Sequence, residues 1–237
     1  MAAALLAGTA LAGGSVNAAT ISGNDFSNNV FSAGVGESLF AVFSCEAGAL
    51  NCANGPYGVD LTAEMTLTLN NVSPNMEIWE IAFDVKNTTQ SGPGENRLTV
   101  FGFATTPAID IAASSLASND PNYDWELTNQ GSFPNFSGVE FCVTDGGNCA
   151  QGGSGGLSGG QSSSFVLTLT LTEMTQDLYF DFLGVRYQSV DCGTFTCLSD
   201  STSFEGEVVP LPAAGWLLLS GLGALGALSY RRRKQAA

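Results

Sequence analysis

The sequence predicts an all-β fold, a β-sandwich of jelly-roll or Greek-key type, from three observations. Apolar and polar residues alternate with period two in several segments, as in strands with one buried face. These segments are 65–70, 79–85, 139–144 and 165–171. The segments 98–103 and 178–187 are apolar on both faces, which indicates central strands. Turns rich in Gly, Asn and Ser separate these segments.

The N-terminal residues have the composition of a secretory signal peptide. Residues 1–19 are small and apolar and end at the small-residue pattern Val16-Asn17-Ala18, which predicts cleavage near residue 19. No Lys or Arg follows Met1. Either the true start lies upstream of Met1, or the terminal amine alone supplies the positive charge that such a peptide needs.

The region between the two ends, 20–207, is long enough for one secreted domain with a hydrophobic core. Its only segment that allows a helix is 108–117. The chain has 22 acidic and seven basic residues, and four of the basic ones lie in the C-terminal tail. The strongly anionic domain repels phosphate backbones and anionic lipids, which excludes nucleic acid as a partner. Divalent cations, cationic polymers and neutral polysaccharides are compatible with it, and solubility alone also explains the charge.

Six cysteines occur as three close pairs, each flanking a short turn-like segment. An even number of cysteines in an exported chain indicates disulfides. Local pairing predicts Cys45–Cys52, Cys142–Cys149 and Cys192–Cys197, although spacing alone does not exclude other connectivities. The spacings do not match zinc knuckles and the chain has no histidine, so no metal site is predicted.

The longest loop, 146–164, is rich in glycine. It lacks the Gly-Lys-Ser/Thr step of a phosphate-binding loop, so nucleotide binding is not expected there. We predict that it is a flexible hairpin tip.

A second loop, 118–126, holds the candidate ligand-binding residues. Asp120, Asn122 and Asp124 have the alternate spacing of the first ligands of a calcium loop, but Trp125 stands where that loop requires glycine. An ordinary turn explains the spacing as well, so no cofactor is predicted and calcium is the alternative. Tyr123 and Trp125 are candidates for stacking on sugar rings, whereas aromatic residues of a sandwich more often fill its core, as Trp79 is expected to do.

Catalysis has little support in the sequence. The absence of histidine excludes a Ser-His-Asp triad, a histidine-ligated zinc and a histidine general base. Two carboxylates suffice for glycoside hydrolysis, but no motif distinguishes one pair among 22 acidic residues. We therefore predict a non-enzymatic protein, with a secreted glycoside hydrolase as an alternative.

The C-terminal segment, 208–237, combines three features in order. A Pro-containing motif comes first, and its residues are Val209, Pro210, Leu211, Pro212 and Ala213. An uncharged apolar stretch follows, long enough for one transmembrane helix over 212–230. A basic run then acts as a membrane stop and keeps this end cytoplasmic. The run consists of Arg231, Arg232, Arg233 and Lys234.

In these features the segment resembles the PEP-CTERM class of bacterial surface proteins, and more closely its Val-Pro-Leu-Pro-Ala variant (VPLPA-CTERM). The resemblance implies that Val209, Pro210, Leu211 and Pro212 are recognised by an exosortase, a membrane cysteine transpeptidase that cuts near this motif. Leu211 stands where the commonest motif has Glu, which fits the variant. The resemblance also implies export through the Sec machinery and cleavage by signal peptidase. The protein would be anchored in the inner membrane before processing and would then reach the cell surface or extracellular matrix.

Three classes of function follow from these observations. The resemblance favours a structural protein of the envelope or matrix, associated with exopolysaccharide or biofilm. The second class is a surface-displayed module that binds carbohydrate or calcium, and the third is a secreted glycosidase. Ligand-dependent stabilisation would distinguish the second, and hydrolysis of a glycan would distinguish the third.

Overall fold

The computed structural model describes residues 19–24, 30–46, 58–90, 95–118, 120–150, 155–190 and 201–209. The predicted signal peptide, apart from Ala19, and the predicted sorting segment from Pro210 onward lie outside these residues. Within the described ranges, no helix is long and apolar enough to cross a membrane.

The described residues form an all-β fold, as the sequence predicts. Its strands are β1 (Thr20–Asn24), β2 (Val30–Gly34), β3 (Ser38–Cys45), β4 (Leu61–Val72), β5 (Ile78–Asn87), β6 (Arg97–Thr106), β7 (Ser115–Ser118), β8 (Trp125–Thr128), β9 (Phe141–Asp145), β10 (Ser162–Thr170), β11 (Asp177–Gln188) and β12 (Thr202–Val209). The predicted strands correspond to β4, β5, β6, β9, β10 and β11. The alternation of buried and exposed residues that predicted β4, β5 and β10 is present in all three.

The strands form one largely antiparallel sheet that nearly closes into a barrel. Its order is β7-β10-β5-β4-β3-β12-β11-β6-β9-β8, with β1 pairing in parallel with β11 and antiparallel with β2. The two ends of this order approach each other, because Trp125 Nε1–H in β8 donates to Ser163 Oγ in β10 at 3.0 Å. Curling of the sheet therefore encloses the core and reduces its open edges.

Strand β12 joins two halves of the sheet. The first half consists of β7, β10, β5, β4 and β3, and the second consists of β11, β6, β9 and β8 together with β1 and β2. Residues 202–205 pair with β11, and residues 206–209 pair with β3. Gly206 lies at the change of partner, where a Cβ would collide with the ring of Phe43. The strand continues through Val209, so Val208 and Val209 lie in the sheet and not only in the predicted sorting segment.

Aromatic side chains from both halves meet in one core. Phe83 in β5 stacks on Phe165 in β10 at 5.2 Å between ring centroids. It also makes edge contacts with Phe103 in β6 at 5.5 Å and with Phe180 in β11 at 6.5 Å. Trp79 is fully buried, which confirms its predicted place in the core.

A buried polar network joins β4, β5 and β11. The Tyr187 hydroxyl donates to the backbone carbonyl of Thr62 at 2.7 Å and lies 3.1 Å from Asn87 Oδ1. Asn87 Nδ2 donates to the carbonyls of Asn96 at 2.8 Å and Leu157 at 2.7 Å. Burial raises the pKa of Tyr187, so its phenol stays protonated and able to donate.

A smaller apolar cluster covers the outer face of β6 and β11. Gly102 and Gly184 are paired across these strands, and the ring of Phe133 lies 2.8 Å from the position a Cβ on Gly102 would take. The disulfide Cys142–Cys149 lies in the same cluster and confirms one predicted pairing.

The other predicted disulfides are only partly described. Cys45 is buried and disulfide-bonded, but its predicted partner Cys52 lies outside the described residues. The predicted pair Cys192–Cys197 lies outside them as well.

Replacing Cys142 and Cys149 together by serine should lower the free energy of unfolding by about 2 kcal/mol, because the bridge closes a short loop and constrains little chain entropy. Urea unfolding of the oxidised protein and the double variant measures this difference. Equal unfolding free energies would show that the bridge does not stabilise the cluster.

One local prediction is wrong, and the segment that allows a helix does not form one. Segment 108–117 is not a helix: Asp110 Oδ1 accepts the backbone N–H of Ala112 at 3.0 Å and closes a single turn, and β7 begins at Ser115. Segment 146–164 is not a hairpin tip, because β9 and β10 pair with different neighbours. It is a crossover on which Leu157 is buried and bridged to Leu98.

Candidate functional site

The loop between β7 and β8 is held by the side chain of Asp120. Its Oδ1 accepts the backbone N–H of Asn122 at 3.1 Å and the Asn122 side-chain amide at 3.0 Å, which closes an Asx turn. Its Oδ2 accepts the hydroxyl of Ser163 in β10 at 2.9 Å. Because Ser163 in turn accepts from the Trp125 indole, a relay of hydrogen bonds runs from the core to the loop.

A second carboxylate, Asp145 at the end of β9, holds the opposite side of this loop. Asp145 is buried, and it accepts the backbone N–H of Asp124 at 2.8 Å and that of Gly156 at 2.7 Å. A Cβ on Gly155 would collide with the Asp145 carboxylate. Glycine at 155 therefore allows the crossover from β9 to β10 to approach the Asp145 carboxylate. Through its two hydrogen bonds, Asp145 connects this crossover to the β7–β8 loop.

The two aromatic residues of the loop have different environments. Trp125 is only 4% exposed and lies 5.4 Å from Phe101 and 5.9 Å from Phe165 between ring centroids. Tyr123 stacks on Trp125 at 5.8 Å and is partly exposed. Burial raises the pKa of Tyr123, and the charge of Asp120 raises it further. Trp125 therefore has no free face for a sugar ring, and only Tyr123 of the proposed pair reaches solvent.

The structure brings the five predicted loop residues to one groove of about 820 Å³. Its lining includes Asp120, Asn122, Tyr123, Asp124 and Trp125, together with Ser118, Pro121, Asp145 and Gly155. The described residues contain no cluster of three or more Cys, Asp or Glu side chains that could hold a metal ion. Binding of calcium by Asp120, Asn122 and Asp124 stays the alternative to an ordinary turn.

A second groove, of about 470 Å³, lies on the outer face of β3, β4, β5 and β10 and shares Asp120 with the first. Two rows of side chains cross these four strands in register. The first row is Phe40, Thr66, Asp84 and Ser164, and the second is Val42, Glu64, Lys86 and Ser162. Sequence reasoning missed this groove. Strand alternation places each side chain on the outer face, but only the strand order brings the rows together.

The relay predicts a pH dependence of the β7–β8 loop. The hydrogen bond from the Asn122 backbone, supported by that from Ser163, holds the pKa of Asp120 below its ordinary value of 3.8. The stabilisation by this carboxylate is therefore complete above pH 3.8 and is lost as the pH falls through the lower, folded-state pKa. The Trp125 indole N–H signal in NMR spectra should report this titration.

We expect the Trp125 indole shift to change with a midpoint below 3.8 and Asp120→Asn to abolish the change. Glu126→Gln, an exposed change on β8, should leave it intact. A midpoint at or above 3.8, or a titration that persists in Asp120→Asn, would contradict the relay.

Comparison of the chain with known proteins gives no match to a protein family, to a characterised protein or to a solved structure.

Proposed function

We propose that this chain is an exported protein, processed by an exosortase and delivered to the cell surface or matrix, where its domain associates with exopolysaccharide without catalysis. One observation carries the proposal: the motif 209–213, the uncharged stretch 212–230 and the basic run 231–234 follow one another in order. An apolar stretch of this length before a basic run meets the physical requirements of a single-span anchor with its basic end in the cytoplasm. VPLPA-CTERM proteins share this arrangement.

The cysteines support export. Cys142 and Cys149 are bonded to each other, and Cys45 is disulfide-bonded as well. Disulfides persist in oxidising compartments outside the cytoplasm, whereas cytosolic thiols are kept reduced. A signal peptide at 1–19 and processing by signal peptidase fit the same route.

The charges support a neutral polymer rather than a polyanion as the partner. Arg97 pairs with Glu95 at 2.9 Å, and Arg186 is buried, where it donates to the carbonyl of Ala150. Of the described cations, Lys86 alone extends from an exposed position. A polyanionic chain would find little positive charge on a surface that carries most of the 22 acidic residues.

We also infer that the two halves of the sheet form a sandwich with Greek-key or jelly-roll connections. The change of partner along β12 supports this inference, because strands that switch sheets make the corners of sandwiches. The connections from β5 to β6 and from β9 to β10, which cross between the halves, support it too.

Replacing Pro210 and Pro212 by alanine tests the sorting proposal. In a host with the cognate exosortase, we expect the unaltered chain to leave the inner membrane and appear at the cell surface or in the matrix. The variant should stay in the membrane fraction, because its motif is lost and its anchor is kept. A variant that reaches the matrix as efficiently as the unaltered chain would contradict the proposal.

A further inference from the structure

The groove on the outer face of β3, β4, β5 and β10 is a polar site with one aromatic end. With neighbouring strands about 4.8 Å apart, each of the two rows crosses four strands over about 14 Å. Phe40 begins the first row with a partly exposed ring, Thr66 is its cross-strand neighbour on β4, and Asp84 follows Thr66 on β5. The groove thus offers an extended path rather than a closed pocket.

The polar groups of the two rows are free to bind a ligand. The side chains of Glu64, Asp84 and Lys86 make no hydrogen bond or ion pair with another residue that the structure describes. Lys86 is the cross-strand neighbour of both Glu64 and Ser162, so its ammonium donor lies between a carboxylate and a hydroxyl that can accept hydrogen bonds. The rows therefore combine one donor, Lys86, with two carboxylate acceptors and with hydroxyls that both donate and accept.

The far wall of the groove is fixed by the core. Asp120 closes the groove beyond β10, and its carboxylate is positioned by Ser163, which is 7% exposed. Ser163 is held in turn by the buried indole of Trp125. Because this wall is anchored before any ligand arrives, binding would cost little ordering of the loop.

We propose that this groove binds a segment of a neutral polysaccharide, laid across the four strands with one sugar ring against Phe40. Sugar hydroxyls both donate and accept hydrogen bonds, so they can pair with the carboxylates, the ammonium group and the hydroxyls of the two rows. The apolar face of a sugar ring packs against an aromatic ring. The charge pattern also argues against a polyanion, because Glu64, Asp84 and Asp120 repel it and Lys86 is the one cation of the lining. The inference rests on the proposed association with exopolysaccharide and names its site.

Calorimetric titration of the full chain in detergent with defined hexasaccharides tests the proposal. The neutral probes are cellohexaose, maltohexaose and fully N-acetylated chitohexaose, and the charged probes are hexagalacturonate and hexaglucosamine. We expect at least one neutral probe to bind, and Phe40→Ala and Asp84→Asn each to raise its Kd about tenfold or more. Thermal unfolding of each variant shows whether it is folded.

Two variants on other surfaces serve as matched controls. Tyr179→Ala removes a partly exposed aromatic ring from β11, and Glu126→Gln removes an exposed carboxylate from β8. Neither should change the Kd of a neutral probe. If the controls weaken binding as much as Phe40→Ala and Asp84→Asn do, the groove is not the site.

Three further results would overturn the proposal. They are the absence of binding by every neutral probe, binding of a charged probe alone, and the release of shorter products, which would make the groove hydrolytic. Failure here is separable from failure of the sorting proposal. A chain that is processed and exported but binds no neutral probe overturns the groove alone, whereas an unprocessed chain that binds overturns the sorting proposal alone.

Discussion

Replacing Phe83 by alanine should lower the free energy of unfolding by about 4 kcal/mol, the largest effect that we expect from a single core substitution. Phe83 is completely buried and contacts aromatic rings from β6, β10 and β11. Its removal leaves a cavity between the two halves of the sheet, which cannot collapse without moving strands. Urea unfolding monitored by circular dichroism measures the loss.

Two control variants separate cavity formation from the loss of an aromatic ring. Phe83→Leu keeps most of the volume and should cost less than about 1.5 kcal/mol. Phe40→Ala removes the same side chain from the outer face, where it is partly exposed, and should cost less than about 1 kcal/mol. Equal losses for Phe83→Ala and Phe40→Ala would show that the two halves do not enclose a common core.

The second large effect is expected from Asn87→Ala, which should lower the free energy of unfolding by about 3 kcal/mol or more. Asn87 is completely buried, and both ends of its amide are hydrogen-bonded. Its removal leaves the buried backbone N–H of Thr89 without its acceptor and takes one donor from the carbonyls of Asn96 and Leu157. A buried group left unpaired costs about 1–3 kcal/mol, and each lost hydrogen bond adds to this. Comparison of urea unfolding curves gives the difference.

Tyr187→Phe is the matched change within the same network. It removes one hydroxyl and keeps the ring that stacks on Phe204 at 5.7 Å, so it should cost about 1–2 kcal/mol, less than Asn87→Ala. If Tyr187→Phe costs more than Asn87→Ala, the hydroxyl rather than the amide is the centre of the network.

Hydrophobic periodicity predicted the central strands but not the peripheral ones. Strands β4 and β10 alternate apolar core residues with Thr, which is why the sequence reveals them. In β3 the outward residues Phe40 and Val42 are also apolar, so alternation is hidden. Strand β7 has four residues and no large side chain apart from Leu116, so its place depends on pairing with β10.

The candidate site was only partly predictable for a related reason. Asp120, Asn122 and Asp124 are close in sequence, and their spacing could be seen directly. Ser163, which holds Asp120, is 43 residues away and is brought near by the crossover from β9 to β10. An aromatic residue in a loop is a candidate for stacking on a sugar ring, but packing against Phe101 and Phe165 buries Trp125. Only tertiary contacts decide such cases.

The central claim, processing of an exported chain, is tested most directly by the intact mass of the mature protein from hosts with and without the cognate exosortase. With the exosortase, we predict the mass of a chain that begins near residue 20 and ends within Val209–Pro212. Without it, the tail should remain and the protein should stay in the inner membrane. An intact tail in both hosts would contradict the account and leave an ordinary membrane anchor.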